Sequence, residues 1–587
     1  MRRKLKYAAA AAAGVLLLLW LFCLPHDLFE GTTYSTVVTD RNGALLGARV
    51  ADDGQWRFPP RDTLPEKFVK ALVEFEDRTF FNHCGVSPRA LVRAAIQNIR
   101  NGRIVSGGST LTMQVIRLSR QKPRTLWQKL VETCMATRLE LRCSKEEILR
   151  LYAAHAPFGG NVVGIDAARW RYLGSDRTEL SWAEAATLAV LQNAPSSIHL
   201  ARNRDQLLAK RNRLLARLHA KGEIDEEDYA LALEESLIGE PYPMPQYAPH
   251  LVEWYDRKAH GQRTVTHIDR DLQHRMEEVL VRWNRELRQK GIRDLAAIIV
   301  EVESGEPAAY CGNSDLSFDR DGKWVDIARS PRSSGSILKP LLYAAALERG
   351  TILPNSLLPD VPMDFGGFAP KNFNGSFAGA IEADQALALS LNIPNVYLLK
   401  EYGILRFVET LREAGLKTLS RPADEYGLSL ILGGAEVTLV EITACYAKMA
   451  ACYRDSTRYP SFPLHDRIAL YRTFEAMREV VRPDEMDWRR ASSAQNIAWK
   501  TGTSYGSRDA WAIGLTPKYV IGVWAGNANG SGVADLTGAR IAGPVLFELF
   551  GLLPECEWFE EPGDEEGMIR SVCSLSLIHI SEPTRPY

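Results

Sequence analysis

Three short motifs hold most of the chemistry legible in the chain: Ser336-Ile337-Leu338-Lys339, Ser390-Leu391-Asn392 and Lys500-Thr501-Gly502-Thr503. A serine hydroxyl is a weak nucleophile until a neighbouring base takes its proton. A lysine serves as that base only when its pKa falls, through burial or a second nearby cation. A spacing of three predicts Ser336 and Lys339 on one face of a helix, a turn apart. Lys500 is the candidate second cation. Ser390 offers a hydroxyl that can relay a proton to a leaving amine, and Asn392 offers both a donor and an acceptor to a peptide. Gly502, without a side chain, is expected to let an extended substrate lie against a strand edge, with Thr501 and Thr503 at its carboxylate. Singly, each motif is common on solvated helix faces, caps and turns. In this order they point to acyl transfer.

Together these are the motifs of penicillin-binding proteins and serine β-lactamases. The stretches Arg329–Pro340, Leu428–Ala435 and Trp499–Gly506 resemble the class A penicillin-binding proteins, nearest to their 1C type. The resemblance implies a D,D-transpeptidase that works through an acyl-serine at Ser336 and is inhibited by β-lactams. It also implies a glycosyltransferase domain upstream.

That domain is supplied by four further stretches. Glu76–Gly85, Gly107–Gln114, Gln128–Glu132 and Lys145–Tyr152 correspond to the family's four glycosyltransferase motifs. Joining sugars from a lipid diphosphate donor needs a base for the attacking 4-hydroxyl and cations for the leaving group. By resemblance Glu76 is the general base, with Asp77 beside it. Lys129 faces the diphosphate, Glu132 orients it or a metal, and Ser109, Thr110 and Gln114 lie at the donor. The resemblance fixes no cofactor, and a divalent cation (Mg or Mn) in this domain is the open option. Two departures stand out. Gln128 replaces the usual arginine, removing a cation, and Ala153-Ala154 follow Tyr152 where the family continues Leu-Asn.

Stepping outward, helical periodicity runs from Leu64 to about Ala220, interrupted by glycine and proline. Thr36–Leu46 reads as a hairpin with an Asn-Gly turn. Four prolines between Gly239 and Pro249 mark a linker. Ala296–Val302 and Ala308–Tyr310 are strands, as are Ala510–Leu515 and Tyr519–Trp524, with helices between, so an α+β sheet is closed by sequence-distant strands. The expected architecture is a transmembrane helix, a mostly α-helical lysozyme-like glycosyltransferase domain, and an α+β transpeptidase with an antiparallel sheet flanked by helices. The bounds are 1–6 cytoplasmic tail, 7–24 anchor, 36–220 glycosyltransferase, 221–290 linker region, 291–552 transpeptidase and 553–587 tail. Pro88–Arg103 is a basic amphipathic helix with Leu91, Ala95 and Ile99 on one stripe, which suits either a membrane surface or a core.

The 587 residues suggest about three to four domains. A hydrophobic share of 46% against 24% charged excludes extended disorder. Lys and Arg total 71 against 72 Asp and Glu, a balance that argues against nucleic acid as a partner. Nine cysteines without paired spacing fit neither a disulfide scaffold nor a zinc module. Four basic residues precede the uncharged run Tyr7–Leu24, which would span ~27 Å as a helix. An uncleaved inner-membrane anchor is expected, the N-terminus cytoplasmic and both catalytic domains periplasmic. The stretch Ser574–Tyr587 resembles a translated adapter and is set aside. Expected partners are lipid II and nascent peptidoglycan, β-lactams, the inner membrane and cell-wall assembly proteins. The alternatives are a glycosyltransferase whose second domain binds β-lactams but cross-links weakly, and a non-catalytic scaffold.

Overall fold

The computed structural model describes residues 2–101, 108–123, 125–174, 179–192, 203–482 and 495–563. Arg103, Gly107 and the stretch from Ser574 lie outside the described residues. The chain divides into two compact units, residues 1–246 with 252–265, and residues 247–251 with 266–587.

The first unit opens with α1 (Arg2–Leu21), which stops three residues short of the expected span. Among the described residues no helix is long and apolar enough to cross a membrane. The expected hairpin is present as β1 (Thr36–Thr39) and β2 (Leu45–Arg49). Its turn is longer than an Asn-Gly pair, because Asp40 Oδ1 accepts the amides of Asn42 and Ala44 at 2.8 and 2.7 Å. Then come α2 (Glu66–Glu76), α3 (Pro88–Asn101), α4 (Leu111–Arg120), α5 (Leu126–Arg142) and α6 (Lys145–His155). Four more helices follow: α7 (Ile165–Leu173), α8 (Trp182–Leu191), α9 (Arg204–Ala220) and α10 (Glu226–Glu234). Side chains at helix starts set several boundaries. Thr110 and Thr125 cap α4 and α5, and Ser144 with Glu147 forms a capping box on α6. On α3, Leu91 is half-buried while Val92 and Ile96 are exposed. The side chains of Ala95 and Ile99 are outside the described set.

The expected linker region, 221–290, carries ordered elements. Helix α10, α11 (Pro249–Lys258), β3 (Arg263–Val265) and α12 (Arg270–Gln289) occupy most of it, and β3 pairs parallel with β1. Only the proline-dense stretch is irregular, since proline cannot donate to a helix or ladder. Helix α12 is strongly amphipathic and packs Leu272, Met276 and Leu280 into the second unit's core.

In that unit β4 (Asp294–Glu301) and β5 (Pro307–Cys311) begin the sheet. After them come α13 (Lys339–Glu348), a hairpin of β6 (Leu357–Asp360) and β7 (Gly379–Glu382), α14 (Ala383–Ala388), α15 (Asn392–Tyr402), α16 (Leu439–Arg454) and α17 (Arg467–Arg478). The chain closes with β8 (Ala498–Thr503), β9 (Asp509–Leu515), β10 (Tyr519–Gly526) and α18 (Gly543–Phe550). Sheet order is β8-β9-β10-β4-β5 with every neighbour antiparallel. Sequence-distant strands therefore close it, as the alternation predicted. Ile521 and Val523 face a core shared with α12 and α18. Gly522 points the other way, where a Cβ would strike Thr443 Oγ1 and Leu439 of α16. Period-two alternation thus buries both faces under helices.

Candidate active sites

The second unit places Ser336 in a turn rather than on a helix. Residues 335–338 form the turn, and α13 begins only at Lys339. Gly335 has a φ of 53°, and a Cβ there would lie 2.7 Å from the Thr503 amide nitrogen. Only glycine permits both that backbone and that approach. Distant side chains pin the turn: Tyr446 Oη donates to the Ile337 carbonyl at 2.8 Å, and Trp511 Nε1 to the Ser333 carbonyl at 2.8 Å.

Lys339 is fully buried, and its Nζ donates to the carbonyls of Ser390 at 2.8 Å and Leu391 at 3.1 Å and to Asn392 Oδ1 at 2.9 Å. Lys500 Nζ donates to Ser390 Oγ at 2.7 Å and to the Thr501 carbonyl at 2.9 Å. Ser390 is therefore the hinge of the site, its carbonyl on one lysine and its hydroxyl on the other. It adopts a φ of 54°, uncommon for a residue with a side chain. Burial, and then the charge of Lys500, hold Lys339 well below the usual lysine range. Burial alone brings Lys500 down to about 7. Ser336 Oγ is half-buried and bonds to neither lysine, an arrangement common before substrate arrives.

Packing also requires that Gly502 lack a side chain. A Cβ there would meet Ile337 Cγ2 at 2.8 Å and the Ser334 carbonyl at 2.9 Å, so it points at the nucleophile turn and away from solvent. The missing side chain seats β8 against that turn. By strand alternation Thr501 and Thr503 lie on the other side, half-buried, with Thr503 Oγ1 accepting the Gly538 amide at 3.0 Å.

In the first unit Glu76 ends α2, half-buried. Gln114 Nε2 donates to Glu76 Oε2 at 2.8 Å, joining the first and second motifs. The amide oxygen of Gln114 accepts from Arg117 at 3.2 Å and from Tyr152 Oη at 3.5 Å. Burial raises the Tyr152 phenol well above its ordinary value, and the charge of Glu76 adds to that. Thr110, expected at the donor, and Asp77, expected beside the base, are buried and hydrogen-bonded within the unit. Asp77 Oδ2 takes His83 Nε2 at 2.9 Å and the Leu111 amide at 3.1 Å. Thr110 Oγ1 caps α4 and donates to the Gly85 carbonyl at 2.6 Å. Both fasten α4 beside Glu76, and the other oxygen of Asp77 is met by Thr79 Oγ1 at 3.4 Å. Ser109, Lys129 and Glu132 are half-buried, Ser109 before α4 and the other two on the first turns of α5.

The two departures have structural answers. Arg120 donates to Gln128 Oε1 at 3.1 Å, so a guanidinium from α4 reaches the position that lacks its arginine. Ala153 and Ala154 are buried, and Gly164 packs so tightly there that a Cβ would lie 2.5 Å from the Ala154 carbonyl. Among the described residues no three His, Cys, Asp or Glu side chains converge as metal ligands. Eight described cysteines are unpaired.

Sequence reading passed over Arg117, Tyr446 and Trp511. Arg117 was within reach, three residues past Gln114 on one helix face. The other two act across 109 and 178 residues, and no local pattern marks them.

Comparison with known proteins agrees with this division. The transglycosylase family matches residues 43–219, and the penicillin binding protein transpeptidase domain matches 295–546. Penicillin-binding protein 1C of Escherichia coli is 39% identical over 523 residues, 88% of this chain and 68% of that protein. Penicillin-binding protein 1A of Aquifex aeolicus is 28% identical, covering 83% of this chain and 82% of the relative. In fold, the chain is similar to the crystal structure of penicillin-binding protein 1A from Haemophilus influenzae, with a TM-score of 0.52 at 17% identity over 94% of this chain and 97% of that one.

Proposed function

The chain belongs to the class A penicillin-binding proteins, with a transglycosylase and a transpeptidase domain, and from this we propose how its residues divide the two reactions. In the second unit Ser336 is the nucleophile. Its Oγ attacks a D-alanyl carbonyl, or the carbonyl of a β-lactam, while Lys339 takes the hydroxyl proton. The C–N bond breaks as the Ser390 hydroxyl gives its proton to the departing nitrogen and takes one from Lys500, leaving an acyl-serine. An amine from a neighbouring stem peptide then attacks that ester and closes the cross-link; water in its place gives hydrolysis. The observation that carries this reading is the bridge of Ser390 between Lys339 and Lys500. It brings motifs that lie far apart in the chain into one hydrogen-bonded cluster around Ser390.

In the first unit Glu76 is the general base for the 4-hydroxyl that attacks the anomeric carbon of the lipid-linked donor. The bond to the diphosphate breaks, and Lys129, with Arg120 beside Gln128, offers positive charge to the leaving group. Gln114, oriented by Arg117 and Tyr152, holds the Glu76 carboxylate. Asp77 and Thr110 are positioning residues. Substrates of this kind sit in a membrane, and the uncharged run Tyr7–Leu24 behind four basic residues supports an anchor with both domains outside the cytoplasm.

The test is incubation of the purified chain with lipid-linked disaccharide-pentapeptide, with and without penicillin. Polymers that are cross-linked only without penicillin are expected. Polymers without cross-links in both arms would instead support the weakly cross-linking alternative.

A further inference from the structure

We infer that Asn372 is a positioning residue of the acyl-transfer site: from a loop upstream it caps α15 and helps fix the carboxamide that faces Lys339. The inference rests on the roles of Ser336 and Lys339 given above. Helix α15 starts without a cap of its own, because its N-cap position is Leu391, whose side chain accepts nothing. Asn372 Oδ1 supplies the missing acceptor, taking the amides of Asn392 at 3.0 Å and Ile393 at 3.3 Å.

The preceding residue decides which way Asn392 points. The Lys371 carbonyl accepts Asn392 Nδ2 at 2.8 Å, which leaves Oδ1 facing Lys339 Nζ at 2.9 Å. A flipped carboxamide would set donors against the lysine and oxygen against a carbonyl. Asn372 is itself held on both sides. It is 4% exposed, and its Nδ2 donates to Asp360 Oδ1 at 2.7 Å and to the Ser376 carbonyl at 2.9 Å. Asp360, 1% exposed at the end of β6, accepts the Ala378 amide on its other oxygen at 2.8 Å. A buried polar network with every member satisfied specifies one geometry. The line therefore runs from the β6–β7 hairpin through Asp360, Asn372 and Asn392 to Lys339. Two residues before the capped amides stands Ser390, in its left-handed conformation, with its carbonyl on the same lysine. Holding the chain just past Ser390 sets where that carbonyl and that of Leu391 meet Lys339.

Acylation by a fluorescent penicillin, resolved into non-covalent affinity and the first-order acylation constant, tests this at a temperature well below unfolding. Asn372→Ala is expected to slow the acylation constant on the order of ten- to a hundredfold, the scale of a small misplacement at a reacting centre. Non-covalent affinity and glycan polymerisation should stay near wild type. A residue that served only stability would move the melting temperature and leave the acylation constant alone. The second arm exchanges the partners. Asn372→Asp sets two carboxylates together and should also slow acylation, whereas Asp360→Asn with Asn372→Asp restores a donor–acceptor pair and should recover most of the rate. That pair carries the test where the alanine variant does not fold. An acylation constant for Asn372→Ala within about twofold of wild type, or a double variant no faster than Asn372→Asp, overturns the inference. Ser336→Ala is run in parallel. Labelling that persists there overturns the assignment of Ser336, whereas loss there beside normal acylation of Asn372→Ala overturns the role of Asn372 alone.

Discussion

At the acyl-transfer centre two lysines are buried against carbonyls, a carboxamide and a hydroxyl, with no carboxylate among the described residues in contact with either. At the glycosyl-transfer centre the acid is half-buried and rests on an amide, itself oriented by a guanidinium. The first arrangement suppresses charge on a base by denying it water and counter-ions, so that a lysine can accept a proton near neutral pH. The second keeps a carboxylate in contact with donors, as suits a base that must receive a sugar proton beside a departing diphosphate. One chain thus holds its two proposed bases in opposite surroundings. The difference also shows where each site is fragile: burial is sensitive to volume, and a partnered carboxylate to the loss of its donor.

The largest expected effects separate the sites. Glu76→Gln should reduce glycan polymerisation by about 10²–10⁴-fold while penicillin labelling proceeds normally, and Ser336→Ala should abolish labelling and cross-linking while polymerisation continues. Residual polymerisation within a few-fold of wild type in Glu76→Gln would falsify the base assignment.

The contrast in charge handling sharpens with Lys500→Ala. Removing a positive neighbour favours the protonated form of Lys339, so its pKa rises. Acylation requires Lys339 neutral, so the rising limb of rate against pH should move to higher pH. A limb that stays put or moves downward means that Lys500 does not act on Lys339 through charge.

Next in size is Gly502→Ala. The added methyl meets Ile337 and the Ser334 carbonyl below 3.0 Å, so the nucleophile turn must shift. A cost of about 1–3 kcal/mol in the second unit's stability is expected, with slower acylation. Calorimetry and labelling kinetics on the same preparation check this. Normal acylation would mean that the turn tolerates the displacement.

The smallest effect belongs to the first unit. Thr110→Ala removes the cap on α4 and the bond to Gly85, at a cost of about 1 kcal/mol. The melting transition of that unit should fall by roughly 2–4 °C, with polymerisation reduced much less than in Glu76→Gln. A loss of activity as large as that of the Glu76 variant would show that Thr110 touches substrate after all.

The chemistry-bearing residues were legible from sequence because three spaced triplets and four helical motifs are local signals: they need only the order of residue types. Strand pairs at 294–311 and 509–526 were legible for a similar reason, since apolar alternation bounded by turns marks each strand wherever it pairs. Within 221–290 the prolines marked one irregular stretch, whereas the helices beside it pack their apolar faces on other parts of the chain. Asp77 and Thr110 sit inside a motif beside residues that do face the site. Nothing in the order of letters says which carboxylate turns inward to meet a backbone amide.

What the sequence determined by itself was the two-domain order and the motifs that carry the proposed reacting groups. The tertiary structure alone decided their state: that Lys339 and Lys500 are dry, that Gly502 leaves room for the nucleophile turn, and that Asn372 caps a helix it does not belong to. The physical reason is that burial and electrostatics sum over neighbours brought together across more than a hundred residues. Motif spacing is a property of one short stretch, while a lysine pKa belongs to everything packed around it.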